Sequence, residues 1–167
     1  MKLTDLFVEQ LKSEAARTRR VLDEMPEGRD EWKPHDKSMP FGRLAMLVAR
    51  MPAWVSLIVT QDELNLGGSN VDQRPLRTSA ELVDAHDQSV ADGLRALAGT
   101  TDEQLLTTKW RMTAGGHVAL EELRYIVLRD TLMHWSHHRG QLTVYLRMND
   151  RKVPSVYGPT ADDQRFL

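Results

Sequence analysis

Cysteine is absent from all 167 residues. Disulfides, thiolate metal ligands and cysteine nucleophiles are therefore excluded. Long apolar runs are missing too: nothing approaches the ~20 residues that a membrane-crossing helix needs. The opening MKLTDLFVEQ carries an aspartate and a glutamate where a signal peptide requires an unbroken apolar core, so a cytoplasmic protein with no membrane partner is expected. Neither charge sign dominates, since 22 Lys and Arg against 24 Asp and Glu leave a formal charge of -2. A general nucleic-acid binder displaces counterions with a basic footprint, and nucleic acid is accordingly not expected among the partners. The one local basic run, Arg17 to Arg20, reads as the solvated face of a helix.

What is present is helical periodicity. A chain of this length is one domain's worth, residues 1-167, and buries a core without staples. Leu3, Leu6, Phe7, Leu11 and Leu22 recur at helical spacing and predict a first helix from Leu3 to Met25. A second begins near Met39 and Pro40 and carries Leu44, Leu47, Val48, Met51 and Val55, with Pro52 bending it from inside. The run Gly67 to Asn70 marks a loop. Thr78-Ser79-Ala80-Glu81 forms a capping box that opens a third helix, which Gly99 ends. Residues 101 to 119 look irregular, with a turn at Gly115 and Gly116, and a last helix runs from Leu120 to Met148. No alternation of the kind a sheet requires stands out. The expected fold class is all-α, a four-helix bundle.

The last helix holds the most unusual stretch, HWSHHRGQ at residues 134-141. Imidazoles at such density hold a metal, do acid–base chemistry or fill a polar seam between helices. Positions four apart lie about 40° from each other and one turn along, so His134 and His138 share a stripe that Gln141 and Tyr145 continue. Two imidazoles so placed aim at one point, as a first-row metal requires. His137 points about 100° away from His138. Asp130, one turn before His134, suits a partner that orients its ring. Leu128, Trp135, Leu142 and Leu146 form a separate apolar stripe toward the core. Gly140 costs about 1 kcal/mol inside a helix, for which close approach of another backbone would compensate. Arg139 has the planar fork to tie a carboxylate from a neighbouring helix.

The block HWSHHRGQLTVYLR, residues 134-147, followed by VPSVYGP, residues 153-159, resembles the DinB-like (DinB/YfiT) superfamily. The stretch WKPHDKSMPFGRLA, residues 32-45, resembles that family's entry to its second helix. The resemblance implies up-down-down-up connectivity, frequent homodimerisation and a divalent metal, zinc or nickel, held by three histidines at one end of the bundle. Two of them, four apart on the last helix, correspond to His134 and His138. The third belongs to the second helix, and the alignment places it at Leu47, which has no donor atom. The triad is then reduced to a pair. His35, His86 and His117 are the remaining imidazoles that could supply a nitrogen, none of them at the family position.

Two functions follow. One is a DinB-like module with a degenerate histidine site and no assigned activity, binding a small ligand in a pocket walled by Leu47 or acting as a homodimer. The other is a divalent-metal-dependent enzyme of the thiol S-transferase or isomerase type, using His134 and His138 with a low-molecular-weight thiol.

Overall fold

The computed structural model describes residues 2-68 and 74-165. Ser69 and Asn70, part of the expected loop, lie outside the described residues. Among the described residues, six helices and three short strands run in the order α1 (Leu3–Asp23), α2 (Phe41–Arg50), α3 (Ala53–Thr60), β1 (Glu63–Asn65), α4 (Ser79–Ala98), α5 (Asp102–Thr107), β2 (Lys109–Ala114), β3 (His117–Leu123) and α6 (Arg124–Met148). Helix α1 packs on α4 and α6, while α2 and α3 pack on both α4 and α6. The core between them includes Leu11, Leu22, Phe41, Leu44, Val48, Ile58, Leu128, Trp135, Leu142 and Leu146. All four residues of the expected apolar stripe on the last helix are there.

The all-α expectation needs correction. Residues 109 to 123 form most of a three-stranded sheet, with β1 parallel to β2 and β2 antiparallel to β3. Gly115 and Gly116 both adopt positive φ, +57° and +80°. That is the two-residue hairpin turn whose twist matches its strands, and it sets Ala114 opposite His117. Because β3 takes Leu120 to Leu123, α6 begins at Arg124 rather than at Leu120.

Pro52 does break the second helix, and α2 and α3 meet at a 45° bend. A proline lacks the N–H that would bond the carbonyl four residues back, here Val48. The indole N–H of the buried Trp135 donates to the Val48 carbonyl instead, at 2.9 Å. Helix α4 comes close to the same break at Gly93, where a Cβ would stand 3.3 Å from the Pro52 carbonyl oxygen and 3.1 Å from Leu11. The capping box at Thr78 is present, with the Glu81 carboxylate accepting from the Thr78 N–H at 3.1 Å.

Two buried arginines join the elements. Arg124, 2 % exposed, donates to the carbonyls of Ile58 and Gln61 and pairs with Asp62 at 2.5 Å. The last carbonyls of a helix have no intrahelical partner, so Arg124 caps α3 from the start of α6. Arg139 meets the equally buried Glu14 of α1 at 2.5 Å, the interhelical carboxylate its fork calls for. Tyr157 completes that cluster. Its hydroxyl donates to Glu14 at 2.8 Å and accepts from Arg139 at 2.6 Å, and Arg17 and Arg139 flank its ring at 5.0 and 5.1 Å. Arg17 and Arg20 also donate to the carbonyls of Val156 and Ser155, both at 2.8 Å. Arg17 and Arg20 are thus tail anchors rather than part of a solvated face; only Arg19, paired with Asp87 on α4, lies open to solvent.

Gly140 departs from expectation. Apart from its own helix backbone, nothing among the described residues lies within 4 Å of a Cβ built there, so none of them approaches to offset its helical cost.

Candidate functional site

Helix α6 presents a second face beside its core stripe. Ile126, Val127, Asp130, Thr131 and His134 recur at three- and four-residue spacing and so line one side of the rod. They form one wall of a cavity of about 380 Å³. Leu47 and Met51 from the end of α2, with Trp54 from α3, form the opposite wall. Trp110 and Met112 of β2 and Leu120 and Glu122 of β3 close it from the sheet. The side chains that meet there alternate along β2 and β3, as residues on one face of a pleated sheet do. This volume falls in the ordinary range for small-molecule sites, and such sites are mostly apolar with few polar groups.

His134 reaches this cavity from its edge and joins His138, as the four-residue spacing requires. Their Nε2 atoms lie 2.8 Å apart, within hydrogen-bond distance. Nδ1 of His138 is 2.8 Å from Oε1 of Gln141. An amide oxygen only accepts, so Nδ1–H of His138 donates to Gln141, and the two Nε2 atoms are left to share one hydrogen bond, its direction set by the tautomer. Partial burial, then the neighbouring His138 and His137, hold the His134 imidazole below the ordinary histidine value.

The remaining candidates scatter. Asp130 lines the cavity but accepts from Arg129 at 2.9 Å; no hydrogen bond joins it to His134. Tyr145 is buried away from the pair, in an edge-to-face cluster with Trp32 and Phe41, its hydroxyl donating to the Met39 carbonyl at 3.2 Å. His35 is exposed and accepts the Lys37 N–H at 3.1 Å. His117 sits exposed at the start of β3. His86 is buried in α4, with Nδ1 against Asp87 at 3.0 Å and Nε2 unpartnered. Burial pushes its imidazole below the ordinary value, against the opposing pull of Asp87.

Two Nε2 donors on a tetrahedral zinc at ~2.0–2.1 Å stand about 3.3 Å apart, so the pair would open slightly to hold an ion. Leu47, in the same cavity as His134, brings only hydrocarbon. Among the described residues no three His, Cys, Asp or Glu side chains cluster so as to hold a metal. The donor set does not fit a three-imidazole centre.

Trp54, Trp110 and Glu122 are not among the site residues the sequence suggested, although they build much of the cavity. The signal was the glycine pair between WRMTA and HVAL, which marks a hairpin and puts Trp110 opposite Glu122.

Comparison with known proteins agrees with this architecture. The chain is 25% identical to the uncharacterized protein YrdA of Bacillus subtilis, over 95% of this chain and 90% of that one. A crystal structure of a DinB-like protein from Bacillus cereus superimposes with a TM-score of 0.70 at 23% identity, covering 90% of this chain and 95% of its own. A second DinB-like protein, from Bacillus subtilis, also gives 0.70, at 17% identity and 96% and 99% coverage. The model of the DinB family matches residues 1–165, and the chain belongs to that family.

Proposed function

We propose that this DinB-family protein is a small-ligand-binding module whose histidine metal site is degenerate. The observation that carries the reading is the single cavity shared by Leu47 and His134, where a third imidazole would meet the pair and a hydrocarbon side chain stands instead. The ligand lies between α6, the α2–α3 pair and the sheet, and His134 and His138 serve as a hydrogen-bonding pair beside it. In this reading α1, the α2–α3 pair, α4 and α6 are the four rods of an up-down-down-up bundle, and the protein works in the cytoplasm as a homodimer.

The metal-dependent alternative, a thiol S-transferase or isomerase with zinc or nickel on His134 and His138, draws on the convergence of the two Nε2 atoms and on Gln141 fixing the His138 tautomer. Elemental analysis of protein purified without an affinity tag separates the two. The degenerate-site reading expects wild type free of stoichiometric metal and a Leu47→His variant that takes up one equivalent of zinc or nickel. A full equivalent in wild type overturns it.

A further inference from the structure

The ionisable groups around the cavity are unevenly signed. Glu122 and Asp130 line it, and among its lining residues there is no lysine or arginine. Asp130 shares its charge with Arg129 at the surface, both side chains more than half exposed. Glu122 differs. Its carboxylate accepts the Leu123 N–H at 2.9 Å, and among the described residues no cation lies within ion-pair distance of it. It stands directly across the sheet from Trp110, so the carboxylate and the indole share one face. Trp54 lies against Trp110 with ring centroids 6.4 Å apart and planes at 59°. The partly buried Trp54 lines the cavity with an indole, the best aromatic partner for a cation.

We propose that the cavity takes an organic cation: an ammonium group held by Glu122, with Asp130 in support, on an apolar or aromatic body. This rests on the small-ligand reading above and names its ligand class. A carboxylate in a largely apolar enclosure attracts a cation more strongly than one in water, whereas an anionic ligand would meet two like charges and no counterion.

Isothermal titration calorimetry of the full chain with three matched probes tests this. Tyramine, 4-hydroxyphenylethanol and 3-(4-hydroxyphenyl)propionate keep the phenol constant and change the charge from positive through neutral to negative. Tyramine is expected to bind on the order of tenfold tighter than the alcohol, with the acid weakest. Glu122→Gln, which keeps an acceptor for the Leu123 N–H, is expected to erase most of the gap between amine and alcohol. Equal binding of all three, preference for the acid, or a gap that survives in Glu122→Gln overturns the cation assignment and leaves the small-ligand reading standing. Failure of all three to bind removes both.

Discussion

Glu14 on α1 and Arg139 on α6 meet at 2.5 Å with 3 % and 1 % of their side chains exposed. Removing Glu14 strands the Arg139 charge in the core, a loss of about 3–5 kcal/mol, whereas without Arg139 the carboxylate keeps Arg17 at 3.0 Å. Glu14→Leu is expected to lower stability by that much in urea unfolding, and Arg139→Met by less. The double variant should lose much less than the sum, because the buried guanidinium is removed together with its carboxylate. Additive losses would show that the pair is not coupled.

Arg124 is expected to matter through α3. An Arg124→Met variant exposes the carbonyls of Ile58 and Gln61 without a donor, at a cost of about 2–4 kcal/mol. Arg124→Lys should not recover it, since an ammonium cannot span the same fork of acceptors. Thermal unfolding of the two variants checks both statements.

Two glycines should respond oppositely to alanine. At Gly42 a Cβ would fall 2.7 Å from Oδ1 and 3.1 Å from Cα of Asp30, so Gly42→Ala is expected to destabilise by about 1–3 kcal/mol. At Gly140 the space is open, and Gly140→Ala should stabilise by about 1 kcal/mol in denaturant titration. A destabilised Gly140→Ala protein would mean that a second molecule packs against that turn in solution.

His86 predicts a pH dependence. Burial holds its imidazole below the ordinary value while Asp87 pulls the other way, and Arg19 lies on the far side of Asp87. The unfolded chain therefore takes up a proton near pH ~6.5, where the folded protein still refuses one. Stability is full above that value, falls as the pH drops through it, and levels once the folded imidazole also titrates. His134, shifted in the same direction, adds to the loss. Urea midpoints at pH 7.5 and 5.5 should differ more for wild type than for His86→Gln. Equal differences would remove His86 as a source.

Most of the rods were legible in the sequence, each for a local reason. The Thr78 box, the break at Pro52 and the stripe from Leu128 to Leu146 rest on signals within a few residues. The sheet was not, because β2 and β3 are 6 and 7 residues long and the largely exposed β3 has little apolar alternation to display. Arg139 could be assigned a carboxylate from its fork, but Glu14, 125 positions earlier, could not be named. The pairing of His134 with His138 was readable from spacing. The cavity beside them draws on α2, α3, the hairpin and α6, and no single window of sequence contains it.

Tyr157 and Arg139, the two most distinctive letters of the stretch from HHRGQ to YGP, spend their polar atoms on each other and on Glu14. They buckle the tail to α1 and α6. In this chain that signature marks a fastening, and the choice of the proposed ligand falls to the residues facing Trp54 and Trp110.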